Sequence, residues 1–166
     1  MVKASEMMLV LLDALNEELI RDGSRDELCS LTIQSGNAVV IDYGTGEGCA
    51  GMGWIRLVSS APTVRFPAAD VSVDNCMYSL AHVIEMGLMR PSPLPDEFAG
   101  SISLPDDEEY KETALRQIDD MDLMYRAMQS ARNSIPLSVV GTYTPQGPDG
   151  GAVGGTWSIT VGDDDG

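Results

Sequence analysis

The chain has 166 residues, with 10 Lys and Arg, 26 Asp and Glu and one His, so its formal net charge is −16 at pH 7. The length suits one domain with its own core, and a hydrophobic content of 43% excludes disorder by composition. The charge excludes a protein that grips nucleic acid or docks on anionic lipid, because both need clustered Lys and Arg. It is compatible with a protein that encloses nucleic acid without gripping it.

The cysteines are too far apart in sequence to suggest a motif. Cys29, Cys49 and Cys76 form no CxxC pair, and they predict reduced thiols in a cytosolic product. The apolar stretch Met7–Leu12 ends at Asp13, is too short to span a bilayer and precedes no signal-peptide cleavage pattern. We therefore expect a protein that is neither secreted nor membrane-bound.

The first third of the chain predicts a helix followed by a strand pair. Apolar spacings of three and four residues favour a helix over Lys3–Asp22, and Gly23 is a natural stop. A short strand is predicted over Cys29–Ile33, and a second over Ala38–Tyr43 after a turn at Gly36-Asn37. The predicted inward stripe of the helix is Met8, Leu11, Leu12, Leu15 and Leu19.

A glycine-rich connection, Gly44–Gly48, leads into alternating aromatic and β-branched residues that predict a strand over Met52–Ser59. An antiparallel hairpin with Ala38–Tyr43 is the simplest pairing for that strand. A second helix is predicted from Ser72 or Asp74 to Met89. Its predicted inward face is Cys76, Leu80, Val83, Ile84 and Gly87.

The middle of the chain predicts a long irregular loop and then a long helix. Four prolines lie within Arg90–Asp107, and loops of that length are usually functional or ordered by a neighbour. The helix is predicted over about Asp106–Ala131, where acidic residues in the first turn suit the positive end of the helix dipole. Its predicted stripe is Tyr110, Leu115, Ile118, Met121, Met124 or Tyr125, and Met128.

The last segments predict a closing hairpin. Strands are predicted over Ile135–Tyr143 and Thr156–Val161, joined by a loop, Thr144–Gly155, that is rich in Pro and Gly. The loop is either a mobile tip or a segment ordered by a partner, and nearby edge strands could extend the sheet between subunits. The tail Asp163-Asp164-Asp165 is predicted to fray.

The order of elements predicts an α+β fold, with a mixed or antiparallel sheet of two hairpins and about three helices packed on one face. We expect one domain over residues 1–162, with the Pro-rich segment as an excursion at 90–107 and an acidic tail at 163–166. Methionines are concentrated in the predicted helices, where they fill a core or pack on another subunit.

The most specific motif is the glycine loop between Asp42 and Gly51, which resembles the cofactor loop of adenosylmethionine-dependent methyltransferases. Such a loop needs a helix directly after the glycines, whose N-terminus faces the cofactor. The following residues, Gly53–Val58, read as a strand, which favours a glycine-rich hairpin loop. A small adenosylmethionine-binding enzyme remains the alternative from a different class.

Other patterns point to no chemistry. His82 and Glu85 form HxxE on the predicted second helix, which could supply two metal ligands or simply be a surface His with an acidic neighbour. The acidic runs lack the spacing of a calcium loop. There is no Ser-His-Asp order, nucleophile elbow or P-loop. We therefore assign no catalytic, cofactor or metal residue and predict that the protein is not an enzyme.

Two segments carry a family resemblance. Gly51–Ser60 (GMGWIRLVSS) and Gly150–Val161 (GGAVGGTWSITV), with the N-terminal helix, the Pro-bounded turn Ala61–Pro67 and the helix pair, together resemble the neck proteins of long-tailed actinobacterial phages. The element order is most similar to tail terminators. Head-to-tail adaptors are the nearest relatives in role, but they are largely helical. The Pro-rich excursion departs from typical terminators.

The resemblance implies a virion protein that forms a ring, commonly a hexamer, on top of the tail tube. The ring would contact the tube protein and a head-completion, stopper or adaptor ring, and genomic DNA would pass through without specific binding. It would assemble in the host cytoplasm and reside in the virion neck. Subunit or ring contacts are expected at Tyr143, Pro145, Pro148, Asp149, Gly150, Gly151 and Trp157. Channel-facing acidic candidates are Asp42, Glu47, Asp149, Asp163, Asp164 and Asp165.

Overall fold

The computed structural model describes residues 3–39, 48–70, 79–98, 101–149 and 151–163. Its helical elements are α1 (Ala4–Asp22), a short 3₁₀ turn (Arg25–Glu27) and α2 (Asp107–Ala131). Its strands are β1 (Ser30–Gln34), β2 (Met52–Thr63), β3 (Ser79–Pro91), β4 (Asp96–Phe98), β5 (Ser101–Ser103), β6 (Ser138–Asp149) and β7 (Ala152–Gly162).

Five strands form one mixed sheet in the order β1-β2-β3-β7-β6. The β1–β2 pair is parallel, and the other three pairs are antiparallel. The predicted α+β class with a mixed sheet is confirmed, as is the closing hairpin. The predicted hairpin partner Ala38–Tyr43 lies largely outside the described residues, and at Met52–Arg56 the two neighbours of β2 are β1 and β3. Residues 40–47 lie outside the described residues.

The predicted second helix is the main error in the fold, because from Ser79 onward that segment is the central strand β3. Its side chains pack on both faces of the sheet, so both alternating sets are largely apolar. Such a continuous apolar run resembles a buried helix in sequence. Residues 71–78 lie outside the described residues, and the described chain therefore has two α-helices rather than about three.

Helix α1 confirms the predicted N-terminal helix and its apolar stripe. The Lys3 backbone N–H donates to a Glu6 carboxylate oxygen at 3.1 Å, which fixes the first turn. The helix ends at Gly23 with φ of 78°, a left-handed conformation that favours glycine. Four residues of the predicted stripe are buried and Leu12 is half-buried.

Helix α2 matches the predicted long helix but not all of its predicted inward face. Asp106 accepts a hydrogen bond from the Glu109 backbone N–H at 2.9 Å, and Glu109 accepts one from the Asp106 N–H at 2.9 Å. This reciprocal pair is a capping box. The core contacts come from the C-terminal half, whereas Leu115 and Ile118 are 51% and 52% exposed. The predicted stripe is therefore wrong in the N-terminal half.

Both helices pack on the same face of the sheet and share its main core. Each contributes one apolar stripe, and β2, β3 and β7 contribute alternate residues. Of the methionines predicted to lie on helices, five are buried in this main core, which favours core packing for them. These are Met7, Met8, Met86, Met124 and Met128.

The opposite face of the sheet buries a second, smaller apolar cluster. It consists of Met52, Trp54, Met89 and Ala152, with Val39 partly buried against it. Because β2, β3 and β7 are apolar on both faces at this end, the sheet is buried on both sides there.

The Pro-rich segment is shorter and more regular than predicted. Strand β3 continues to Pro91, and β4 and β5 pair as a separate two-stranded hairpin within the predicted irregular loop. The predicted loop Thr144–Gly155 is likewise wrong, because β6 runs to Asp149 and β7 begins at Ala152. Two register shifts in β6, between Val140 and Tyr143 and between Gln146 and Asp149, accommodate residues that rarely occur in regular strands.

Candidate assembly site

The closing hairpin carries an aromatic cluster at the border between α2 and the sheet edge. Trp157 of β7 lies between Tyr125 of α2 and Tyr143 of β6, with ring centroids 5.3 and 5.7 Å apart. The Trp157 indole Nε1 donates to the Met121 carbonyl at 3.0 Å. All three rings remain partly exposed, so the cluster joins the helix to the hairpin and also presents apolar surface.

Tyr143 has a polar anchor as well. Its hydroxyl donates to the Gly154 carbonyl at 3.3 Å. Burial raises the pKa of this phenol above 10.0, and the nearby negative charge of Asp120 raises it further, against a smaller lowering by the hydrogen bond from Gln117. The hydroxyl therefore stays protonated and keeps donating over the neutral range.

The tip of the hairpin contacts the Pro-rich excursion. Ser92 donates its backbone N–H to the Gly151 carbonyl at 2.7 Å. Pro145 lies opposite Gly155 in the ladder, and Pro148 lies within the register shift between Gln146 and Asp149, close to the turn. Asp149 is placed by its backbone opposite Ala152. Of the expected contact residues, only Gly150 lies outside the described residues, and the others lie on one hairpin.

Strand β6 forms one edge of the five-stranded sheet. Among the described residues it pairs only with β7, and from Ser138 to Pro148 it contains no charged residue. Val139 is 43% exposed on this strand. Edge strands usually avoid further pairing through Lys, Pro or bulges. Strand β6 contains prolines and bulges but no charged residue before Asp149.

The acidic channel candidates are not brought together by the described residues. Asp42, Glu47, Asp164 and Asp165 lie outside them, and Asp149 is placed only by its backbone. The prediction of a frayed Asp163 is wrong, because its backbone N–H donates to the Leu80 carbonyl at 3.1 Å and the residue is 8% exposed. Its carboxylate contacts His82, so it does not line a surface.

The prediction of three reduced thiols is also wrong. Cys29 and Cys49 form a disulfide, with Cα atoms 5.0 Å apart. Two backbone hydrogen bonds flank it, from Cys29 N–H to the Gly51 carbonyl at 3.0 Å and from Ala50 N–H to the Glu27 carbonyl at 2.6 Å. Parallel pairing of β1 with β2 brings these distant cysteines together, and no spacing in the sequence indicates it. Cys76 lies outside the described residues.

A buried ion-pair network lies between α2, β3 and the 3₁₀ turn. The Arg90 guanidinium binds both carboxylate oxygens of Asp120, at 2.6 and 2.9 Å, and donates to Glu27 at 2.7 Å. Burial lowers the pKa of Arg90, but the hydrogen bond and charge of Asp120 and then of Glu27 outweigh it, so the net shift is upward. Arg116 lies 3.1 Å from the same Glu27. Both arginines are therefore committed to carboxylates.

A cavity of about 230 Å³ adjoins this network and is lined in part by Arg90, Arg116 and Gln117. The Gln117 amide donates to the Gly154 carbonyl. Each of these three side chains already donates to a protein acceptor, and the acceptors include the carboxylates of Glu27 and Asp120, which disfavours an anion in the cavity.

The glycine loop does not precede a helix. Gly51 leads directly into β2, and its carbonyl bonds Cys29. A Cβ at Gly51 would lie 2.7 Å from the Met89 carbonyl oxygen, so glycine there permits close backbone packing. The helix N-terminus that an adenosylmethionine site needs is replaced by a strand. Asp42 to Glu47 lie outside the described residues.

His82 lies on a strand rather than on the predicted helix, and Glu85 points to the opposite face of the sheet. The HxxE pair therefore forms no shared site. Instead His82 Nδ1 is 2.8 Å from Ser60 Oγ, and its Nε2 is 3.3 Å from Asp163 Oδ1. Sequence reasoning missed this Ser–His–Asp cluster because strand pairing, not local spacing, brings the three residues together.

Within the described ranges, no group of three or more His, Cys, Asp or Glu residues has the geometry of a metal site. No described helix combines the length and apolar character needed to cross a membrane. Neither a scan against protein-family models nor a search of curated proteins gives a match to this chain.

Proposed function

We propose that this chain is a structural protein of the phage neck, a ring-forming tail terminator that caps the tail tube and joins it to the head. The sequence resemblance suggests the role, and the observation that carries it structurally is the uncharged edge strand β6. In a chain of net charge −16, a long edge without charge until Asp149 is where a like-charged copy can approach with least repulsion.

The aromatic cluster supports the same surface. Interface centres are depleted in charge and enriched in Tyr and Trp. Tyr125, Tyr143 and Trp157 lie next to the β6 edge and are only partly covered by their own chain. A second subunit seated along β6 would add backbone hydrogen bonds at the edge and bury these rings further.

The acidic composition suits the passage of DNA. A ring of such subunits would repel phosphate rather than bind it, since carboxylates outnumber cationic side chains by 26 to 10. Tail tube protein and a head-completion or adaptor ring are the proposed neighbours. Another neck position, such as adaptor, stopper or completion protein, would use the same ring surface.

Native mass spectrometry of the purified protein, alone and with tail tubes, tests the ring. We expect a closed oligomer, most simply a hexamer. Val139→Lys places a charge on β6 and should reduce ring formation while leaving the monomer's melting temperature unchanged. Ser59→Lys, an exposed position on β2, is the matched control. A protein that stays monomeric even on tail tubes would contradict the proposal.

A further inference from the structure

We propose that Ser60 is a nucleophilic serine, activated by His82 as general base and with Asp163 as the positioning residue. The three side chains form one hydrogen-bonded chain, with 2.8 Å between Ser60 Oγ and His82 Nδ1 and 3.3 Å between His82 Nε2 and Asp163 Oδ1. This is the arrangement that activates a hydroxyl for acyl transfer. The inference does not depend on the proposed neck function.

The base and the positioning residue are buried and the serine is exposed, as a reactive serine requires. His82 and Asp163 are 6% and 8% exposed, whereas Ser60 is exposed to solvent. The base is thus shielded from competing water, and the nucleophile can be reached by a reagent. Because the Asp163 carboxylate accepts a hydrogen bond from His82 Nε2–H, the imidazole is held in the tautomer with its proton on Nε2. Its Nδ1 lone pair can then accept the Ser60 hydroxyl proton.

The strand register explains why Ser60 and His82 meet. Pro62 of β2 and Leu80 of β3 are partners in the ladder. The Pro62 carbonyl points away from β3 and accepts the Asp70 N–H, and the Leu80 carbonyl points away from β2 and accepts the Asp163 N–H. The direction of the N–H and C=O groups repeats every two residues along a strand. Ser60 and His82, each two residues from that pair, therefore also point their N–H and C=O groups away from each other's strand. In such non-hydrogen-bonded pairs the Cα atoms are about 4.5 Å apart and the side chains are closest.

The same geometry supplies a donor for an oxyanion. By the same alternation, the Ser60 N–H points to the side of β2 away from β3, and among the described residues the register of β1 with β2 ends at Arg56. A backbone N–H of the nucleophile itself is a suitable partner for charge that develops on an attacked carbonyl oxygen. The Ser60 side chain therefore contacts the general base, and the Ser60 backbone N–H can donate to the oxyanion.

The substrate class that this arrangement fits is a small carboxylic ester. Ser60 Oγ forms a bond to the carbonyl carbon as its proton passes to His82 Nδ1, and that proton then leaves with the alcohol when the ester C–O bond breaks. Water, deprotonated by the same nitrogen, then attacks the acyl carbon. The bond from Ser60 Oγ to that carbon breaks, the proton returns from His82 to Oγ, and the carboxylic acid is released. A fluorophosphonate reacts in the same way at phosphorus, with loss of fluoride and the proton.

Labelling of the folded chain with a fluorophosphonate probe, mapped by peptide mass spectrometry, tests the inference. We expect modification at Ser60, lost in Ser60→Ala and kept in Ser59→Ala, an exposed neighbour that points to the other face. His82→Gln should slow labelling by about 100-fold, the contribution expected of a general base. Turnover of p-nitrophenyl acetate should fall in parallel.

The positioning role of Asp163 is tested by a measurement that a purely structural role would not affect. Asp163→Asn should slow labelling while the melting temperature stays close to that of the parent, and Asp163→Glu should recover part of the rate. Absence of labelling at Ser60 in the folded protein would overturn the proposal. Labelling that is indifferent to His82→Gln or Asp163→Asn in folded variants would overturn it equally.

Discussion

The indole ring of Trp54 lies directly against Gly87, its partner across the β2–β3 pair. The ring is 1% exposed, and its Nε1 donates to Glu85 at 2.9 Å. Glu85 also binds Arg56 at 3.0 Å. The absence of a side chain at position 87 is therefore what lets the largest residue of β2 lie flat on the sheet.

Gly87→Ala should destabilise the fold by about 2 kcal/mol, the usual cost of overpacking a core, because the added Cβ would collide with the Trp54 ring. Urea denaturation measures the loss. The double variant Trp54→Leu, Gly87→Ala provides the control, since the alanine should cost less once the ring is gone. Equal costs in both backgrounds would show that the ring is not the obstacle.

Trp157→Ala should cost about 3 kcal/mol, because it removes two aromatic contacts and the hydrogen bond from the indole to the Met121 carbonyl. Trp157→Phe keeps a ring and should lose only about 1 kcal/mol, the net value of one hydrogen bond. Thermal and urea unfolding of both variants distinguish packing from hydrogen bonding. An unchanged melting curve for Trp157→Ala would show that the cluster adds nothing to the monomer.

Asp120→Ala should destabilise the protein by about 3 kcal/mol, because it leaves the buried Arg90 guanidinium without its bidentate partner. Replacing both residues, as in Arg90→Met with Asp120→Leu, should cost less than the single change, since no unpaired charge stays buried. The two unfolding free energies, compared in urea, decide this. A double variant that is less stable than Asp120→Ala would contradict it.

The raised pKa of Tyr143 predicts a loss of stability in alkali. The unfolded phenol ionises near 10.0 and the folded one only at higher pH, so the contribution is complete below 10.0 and is lost as pH rises through the folded pKa. Subtracting the pH profile of Tyr143→Phe isolates this group from other ionising residues. Identical profiles above pH 10 for the two proteins would refute the shift.

The disulfide predicts a simple thiol count. Unfolded without reductant, the chain should expose one thiol, Cys76, and after reduction three. Reduction should lower the free energy of unfolding by about 3 kcal/mol, the loop-closure entropy for a separation of this size. Cys29→Ala with Cys49→Ala should reproduce that loss without reductant. Three reactive thiols in the unreduced chain would contradict the bond.

Local signals in the sequence predict the elements they control. The acidic residues of the first turn after Asp106 and the stop at Gly23 placed the two helices within a residue or two, and alternation found β2 and β7. Strand β3 was missed because it is apolar on both faces, and periodicity then cannot separate strand from helix. The disulfide and the cluster at His82 depend on which strands pair, and no local pattern encodes that choice.

The Cys29–Cys49 bond has a topological consequence. It joins the residue immediately before β1 to a residue shortly before β2. Residues 29–49, which include β1 and most of the connection to β2, therefore form a covalently closed ring. A protease that cuts within that ring opens it without separating the two sides of the cut. The molecule would keep its mass apart from one added water until a reductant divides it into two fragments.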